Sequence, residues 1–269
     1  VNSVINKQLH VAKITWKSML AYQANTWLGA AVSGFRVLLA FLLWRAIFSG
    51  RSQVAGYTFP MMASYYLIAT MLGRLQYEDA LAWQLSTEVR EGTFSKYLTR
   101  PMPVISFFLS AGLGRWSYHV LVNAGVLLLW SAIFSRWIVL PTSSLPDRFW
   151  LALLIPLGGL CMLLFNHMIA LLSLKYQDVG GLLIMKGGMI DFLSGGLVPL
   201  NMLPAAMVGA LKFTPFYYIV YYPASLFLRT HTEPPLMAVL VLLFWCIVFY
   251  TVGQSWLIHA RKHYEGVGI

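Results

Sequence analysis

The sequence predicts an all-α integral membrane protein with six transmembrane helices. Of its 269 residues, 59% are apolar and 10% charged, against roughly a quarter charged in soluble domains. Apolar runs long enough to cross ~30 Å of hydrocarbon recur at about 27–48, 57–75, 104–134, 149–172, 179–200 and 236–258. The cations outside these runs sort by segment. Lys7, Lys13, Lys17, Arg74, Arg90, Lys96, Arg100, Lys175, Arg261 and Lys262 share one side, and Arg45, Arg51, Arg136, Arg148, Lys212 and Arg229 the other. The positive-inside rule then puts both termini in the cytoplasm. A net charge of +10 on so apolar a chain is read as topology, and no nucleic-acid partner is expected.

Residues 1–25 lack a compact apolar core and are studded with lysine, so they read as an amphipathic helix and not as a signal peptide. Ile5, Leu9, Ala12, Trp16, Met19 and Leu20 gather on one face at 100° per residue. Such a helix suits the cytoplasmic headgroup layer, in contact with anionic lipid, or the surface of a partner. Residues 26–269 then form one six-span domain.

The first span carries Arg36 near its middle, on a face shared with Gly29, Ser33 and Ala40. The fifth carries Asp191 on a face with Gly187 and Gly195. Ionisable residues at such depth are costly and mark functional sites, and small residues let helices approach closely. Arg36 and Asp191 are therefore expected to meet, within one subunit or across a dimer, unless each is solvated separately in an aqueous vestibule. Arg115, His119 and Asn123 form a helical stripe on the third span. Arg115 is expected to snorkel to the headgroups, as is Lys186 at the start of the fifth span; a polar pathway through Arg115 and His119 is the alternative.

The 76–103 loop is the most polar part of the chain and holds Glu78, Asp79, Glu88 and Glu91, four of the nine acids. It reads as a cytoplasmic helix, ended or bent at Gly92 and stopped by Pro101 and Pro103. After the fifth span, residues 199–224 are apolar but broken by Pro199, Pro204, Pro215 and Pro223. Short, partly inserted outer helices solve that conflict. Phe213, Phe216, Tyr217, Tyr218, Tyr221 and Tyr222 suit an aromatic belt there.

Cys161 and Cys246 fall in apolar runs and read as buried thiols. No metal-ligand spacing, P-loop, GxSxG or HExxH occurs, so no metal, catalytic residue or ATP site is expected in this chain.

Two stretches carry a family resemblance. EVREGTFSKYLTRPMP, residues 88–103, resembles the "I..G.L...L.RP" loop of ABC type-2 permeases, the membrane subunits of ATP-binding-cassette exporters. DFLSGGLVPLNMLPAAMVGALKFTPFYYIVYYPA, residues 191–224, is similar to the same family's "FLSG..IPL..LP......LPF.Y....P" segment. Thr93 and Phe94 depart from the loop pattern.

The resemblance implies an N-terminal interface helix, a cytoplasmic coupling helix between the second and third spans, and re-entrant helices before the sixth. It maps the coupling loop onto Glu88, Glu91, Gly92, Leu98, Arg100 and Pro101, to which the chain's own acids Glu78 and Asp79 are added. It further implies a second permease subunit, identical or homologous, that pairs through the first and fifth spans, and separate ATPase subunits holding ATP and Mg. The expected setting is a prokaryotic inner membrane, and the expected activity export of an amphipathic or lipid-linked substrate. A non-transporting anchor or sensor for a cytoplasmic ATPase and a secondary transporter are the alternative readings.

Overall fold

The computed structural model describes residues 2–21, 23–76, 79–139, 144–176 and 179–261. Among the described residues the fold is all-α. In chain order the helices are α1 (Asn2–Ala21), α2 (Gln23–Ile47), α3 (Phe59–Gln76), α4 (Ala80–Arg90), α5 (Ser95–Leu98), α6 (Val104–Ile133), α7 (Leu145–Leu171), α8 (Ser173–Tyr176) and α9 (Gly180–Leu193). A 3₁₀ turn (Leu200–Met202) follows, then α10 (Ala205–Leu211), α11 (Phe216–Ile219), α12 (Tyr221–Leu228) and α13 (Pro235–Arg261). Among the described residues four helical stretches are long and apolar enough to cross a membrane: Thr26–Ile47, Val104–Ile133, Leu145–Tyr176 and Pro235–Ala260.

The expected second and fifth spans correspond to shorter helices. α3 has 18 residues and α9 has 14, about 27 and 21 Å at 1.5 Å per residue. α9 stops well before residue 200 because Gly195 adopts φ +84°, the left-handed geometry that ends helices at glycine. There the amides of Gly196 and Leu197 donate to the Asp191 carbonyl at 2.8 and 3.3 Å. The Gly195 carbonyl in turn accepts from the Tyr65 hydroxyl at 2.7 Å. Gly195 is thus a cap and a close-approach point, off the helix face that its spacing predicted.

α7 starts on a capping box, in which the Ser144 hydroxyl accepts from the Asp147 amide and the Asp147 carboxylate accepts from the Ser144 amide. It packs along α13, and with α3 these helices surround the largest core cluster. The short helices of 199–224 fold back into that core. Tyr217, Tyr218, Tyr221 and Tyr222 are buried, and Phe213 is left exposed. The expected belt is therefore mainly an internal aromatic cluster, and partners of the kind buried hydroxyls require hold it: Tyr217 donates to Glu233 Oε2 at 3.1 Å and Tyr222 to the Glu233 carbonyl at 2.8 Å.

α1 lies along α6. Val11, Ala12, Thr15, Trp16 and Met19 turn inward, while Ile5, Leu9, Ile14 and Leu20 are exposed, so the apolar face read from the sequence is divided between α6 and the surface. Trp16 meets Tyr118 edge-on at 5.9 Å. A Cβ on Gly114 would lie 2.3 Å from the Ala12 carbonyl oxygen, so glycine there permits the approach. Gly114→Ala is expected to cost about 1–3 kcal/mol by overpacking. The checks are a lower unfolding midpoint in detergent and faster proteolysis within residues 2–21; an unchanged midpoint would show that α1 is held elsewhere.

Candidate functional site

Arg36, Arg115 and Asp191, charges that stand out along the spans, gather in one place. A cavity of about 570 Å³ opens between α2, α3, α6 and the end of α9. Arg36 and Ser33 reach it from α2, Arg74 from α3, Arg115 and His119 from α6, and Asp191 from α9, with Asp79 at the loop end. Arg36 Nη2 bonds Asp191 Oδ2 within the single chain. Arg115 lines the cavity and is not snorkelled away from it. Asn123, two turns further along α6, is buried and does not line this cavity.

Gly29 and Ser33 serve this cavity. Arg74 Nη1 donates to Ser33 Oγ at 2.7 Å, and Ser33 Oγ donates to the Gly29 carbonyl at 2.9 Å. A Cβ on Gly29 would come within 3.6 Å of the guanidinium. The small residues of α2 thus lie in contact with an arginine of α3, which the sequence marks only as a cation of the cytoplasmic side. No spacing within α2 discloses which helix faces it. On α9, by contrast, a Cβ on Gly181, Gly187 or Gly188 would meet nothing within 4 Å.

Lys186 does not snorkel. Its side chain is 6% exposed, and Nζ donates to Asn166 Oδ1 of α7 at 2.6 Å and lies 3.5 Å from Asp79 Oδ2. A buried cation needs such partners, since leaving it alone costs several kcal/mol. The 76–103 loop is thereby joined through Asp79 to α9, five residues before Asp191.

Glu78 lies outside the described residues. Glu88, on α4, is turned inward: Oε1 accepts from Gln84 Nε2 at 2.9 Å and from Lys96 Nζ at 2.6 Å. Gly92 takes φ +72°, which lets the Thr93 amide reach back to the Glu88 carbonyl at 2.9 Å. Phe94 is fully buried beneath α4, and the Arg100 guanidinium covers the rings of Tyr97 and Phe107 at 5.0 and 4.6 Å. Thr93 and Phe94, the departures from the family pattern, therefore cap α4 and anchor the turn. Glu91, Leu98, Arg100 and Pro101 are exposed, so of the residues expected to couple to an ATPase these four offer an outward surface, whereas Asp79 and Glu88 attach the loop to the chain. Among the described residues no three His, Cys, Asp or Glu side chains are grouped as a metal site.

Removing one partner of the Arg36–Asp191 pair strands a charge among helices. Because Arg36 is 41% exposed, Asp191→Asn is expected to cost less than the about 3–5 kcal/mol of a fully buried pair. The exchange Arg36→Asp with Asp191→Arg should recover most of the lost unfolding midpoint, and a double variant no better than the single one would show that the pair does not hold α2 to α9. For Glu88, burial opposes ionisation, but the hydrogen bonds from Lys96 and Gln84 and the Lys96 charge prevail and hold its pKa below the usual glutamate range. A lowered folded pKa adds stability that is complete above the unfolded value, about 4.3, and is lost as pH falls through the folded one. Hydrogen exchange across 80–98 should accelerate as pH drops below about 4, after correction for intrinsic rates, and Glu88→Gln should show no such transition.

A family model described as ABC-2 family transporter protein matches residues 35–268, which include Arg36, the cavity residues of α3, α6 and α9, the 76–103 loop and the broken 199–224 segment. No curated protein matches the chain. With so much of its length matched, the chain belongs to the ABC-2 transporter family and is a membrane permease component of an ABC transporter, a component that works with an ABC ATPase subunit and is not itself the ATPase.

Proposed function

We propose that this permease is one half of the membrane pore of an ATP-driven exporter in a prokaryotic inner membrane. In this reading α2, α3, α6, α7, α9 and α13 are its six spans, and both termini are cytoplasmic. Separate subunits bind ATP and Mg and hydrolyse the nucleotide. This chain contributes differential affinity of two conformations for an amphipathic or lipid-linked substrate, and needs no catalytic residue.

The observation that carries this reading is the pair of charge contacts that tie the loop and α2 to the same helix, α9. Asp79 meets Lys186 on α9, and one and a half turns further along the same helix Asp191 meets Arg36 on α2. A push on the exposed turn at Glu91 can thus reach the helices that wall the cavity, through charges that cannot separate cheaply. Pairing with a second permease draws support from the side of the molecule where α2 and α9 lie. Val32, Phe35 and Leu39 of α2 and Ile184, Met185 and Met189 of α9 are exposed, and the glycines of α9 face open space.

The test is co-expression with a candidate ABC ATPase subunit, purification, and efflux from proteoliposomes with and without ATP. ATP-dependent efflux is expected. Glu91→Lys, on the exposed turn, should weaken ATPase capture or coupled turnover by about fivefold, the equivalent of roughly 1 kcal/mol for one surface charge pair, with the fold intact. Efflux that runs without any ATPase, or ATPase binding without efflux, would overturn the exporter reading.

A further inference from the structure

Away from the polar cavity, two buried polar groups are left without partners and converge on one spot. Gln76, at the end of α3, is 2% exposed. Its Nε2 donates to the Ile155 carbonyl at 3.0 Å, which fixes the amide. Its Oε1 then has no hydrogen-bond partner among the described residues, and neither does the buried indole Nε1 of Trp116 on α6. A Cβ on Gly159 of α7 would lie 2.7 Å from Trp116 Nε1 and 3.4 Å from Gln76 Oε1. Glycine at 159 therefore leaves a niche with a donor on one side and an acceptor on the other. Leaving both dry would cost roughly 1–3 kcal/mol each, and native proteins seldom do so.

The niche is part of a cavity of about 270 Å³ between α3, α4, α6 and α7 whose other walls are almost entirely apolar, with Leu109 and Leu163 among them. Leu113 and Leu160, which also line it, are exposed, so the opening is apolar. One water, at about 30 Å³, could satisfy the polar pair but would fill only a small part of this space. A ligand of mixed character fits the whole of it, in the usual manner of apolar pockets with a few convergent polar groups.

We infer that this cavity binds an uncharged amphiphile carrying a hydroxyl or amide, with that group over Gly159 and the apolar body among the leucines. A hydroxyl accepts from Trp116 Nε1 and donates to Gln76 Oε1 at once. A carboxylate cannot donate to Gln76, an ammonium cannot accept from Trp116, and a hydrocarbon leaves both groups unpartnered. Such a molecule can come from the bilayer as a resident lipid or be transported cargo; the binding chemistry is the same.

The test uses the full chain in nanodiscs and hexadecanol bearing a photoreactive diazirine on its chain, beside the matching alkane and carboxylate. The alcohol should label peptides of α6 and α7 saturably, about tenfold more than either analogue, as one lost hydrogen bond of a fixed ligand implies. Gly159→Ala, which fills the niche, and the gentler Trp116→Phe, which removes only the donor and keeps an aromatic ring, should each lower labelling by about tenfold. Equal labelling by the alkane, or undiminished labelling of a folded Trp116→Phe variant, would overturn the site. Adding the ATPase subunit and ATP separates the two sources: turnover-dependent loss of label marks cargo and persistence marks a resident lipid, and either result upholds the site. Labelling of the chain alone needs no ATPase, so this inference can fail or stand independently of the exporter reading.

Discussion

The ammonium of Lys186 is the constraint on which the rest of the arrangement depends. It sits among apolar helices where an isolated charge would cost several kcal/mol, and Asn166 and Asp79 are the groups that compensate it. To satisfy this one group, α9 must bring Lys186 within reach of Asn166 on α7, and the loop that follows α3 must return Asp79 to the same point. Three segments far apart in sequence become one mechanical unit. Because α9 is rigid over its 14 residues, fixing Lys186 also fixes Asp191, about 7.5 Å further along the axis and on another side of the helix, where Arg36 meets it.

The same logic holds the end of the molecule where α13 begins. Glu233, just before α13, is buried and accepts from Lys212 at 2.5 Å, from Tyr217 and from Thr232, while its carbonyl takes the Tyr222 hydroxyl. α10, α11 and α12 are too short to be stable alone, and these bonds secure them to the start of α13. Burial opposes ionisation of this carboxyl, and its hydrogen-bonding partners together with the Lys212 charge hold its pKa below the usual range. Between the two anchored ends lies a cavity where Arg36, Arg74 and Arg115 face Asp79 and Asp191. Its polar lining contrasts with the almost wholly apolar pocket at Gln76 and Trp116, where neutral groups converge. The two spaces differ in chemistry because α6 presents Arg115 and His119 to one and Trp116 to the other.

Much of this is legible in the residues themselves. Composition and apolar run length mark a multi-helix membrane protein, Gly92 marks the end of α4, and the four prolines of 199–224 mark a segment that cannot be one helix. The depth of Arg36 and Asp191 marks them as needing company, since ionisable residues there are too costly to leave alone. Other features depend on which helix lies opposite. Gly29 and Ser33 have the spacing of a helix-packing face, yet they receive a guanidinium from α3. Tyr217, Tyr218, Tyr221 and Tyr222 have the composition of an interface belt, yet they are core, and Glu233 supplies the hydroxyl partners of Tyr217 and Tyr222 inside. The side of α1 that meets α6 follows from the Gly114 notch, which periodicity of α1 alone does not contain.

By itself, then, the sequence determined the solvent of this chain, its helical class, the polar loop, the broken 199–224 segment and the pair of charges that had to be neutralised, because each rests on one-dimensional quantities: run length, period, and the cost of a charge in an apolar run. Only the tertiary structure decided that Arg36 and Asp191 meet within one chain, that Lys186 ties the loop to α9, and that Gln76 and Trp116 share a niche over Gly159. Those facts depend on the rotation of each helix about its axis and on which neighbour fills each gap, and a single helix carries no record of either.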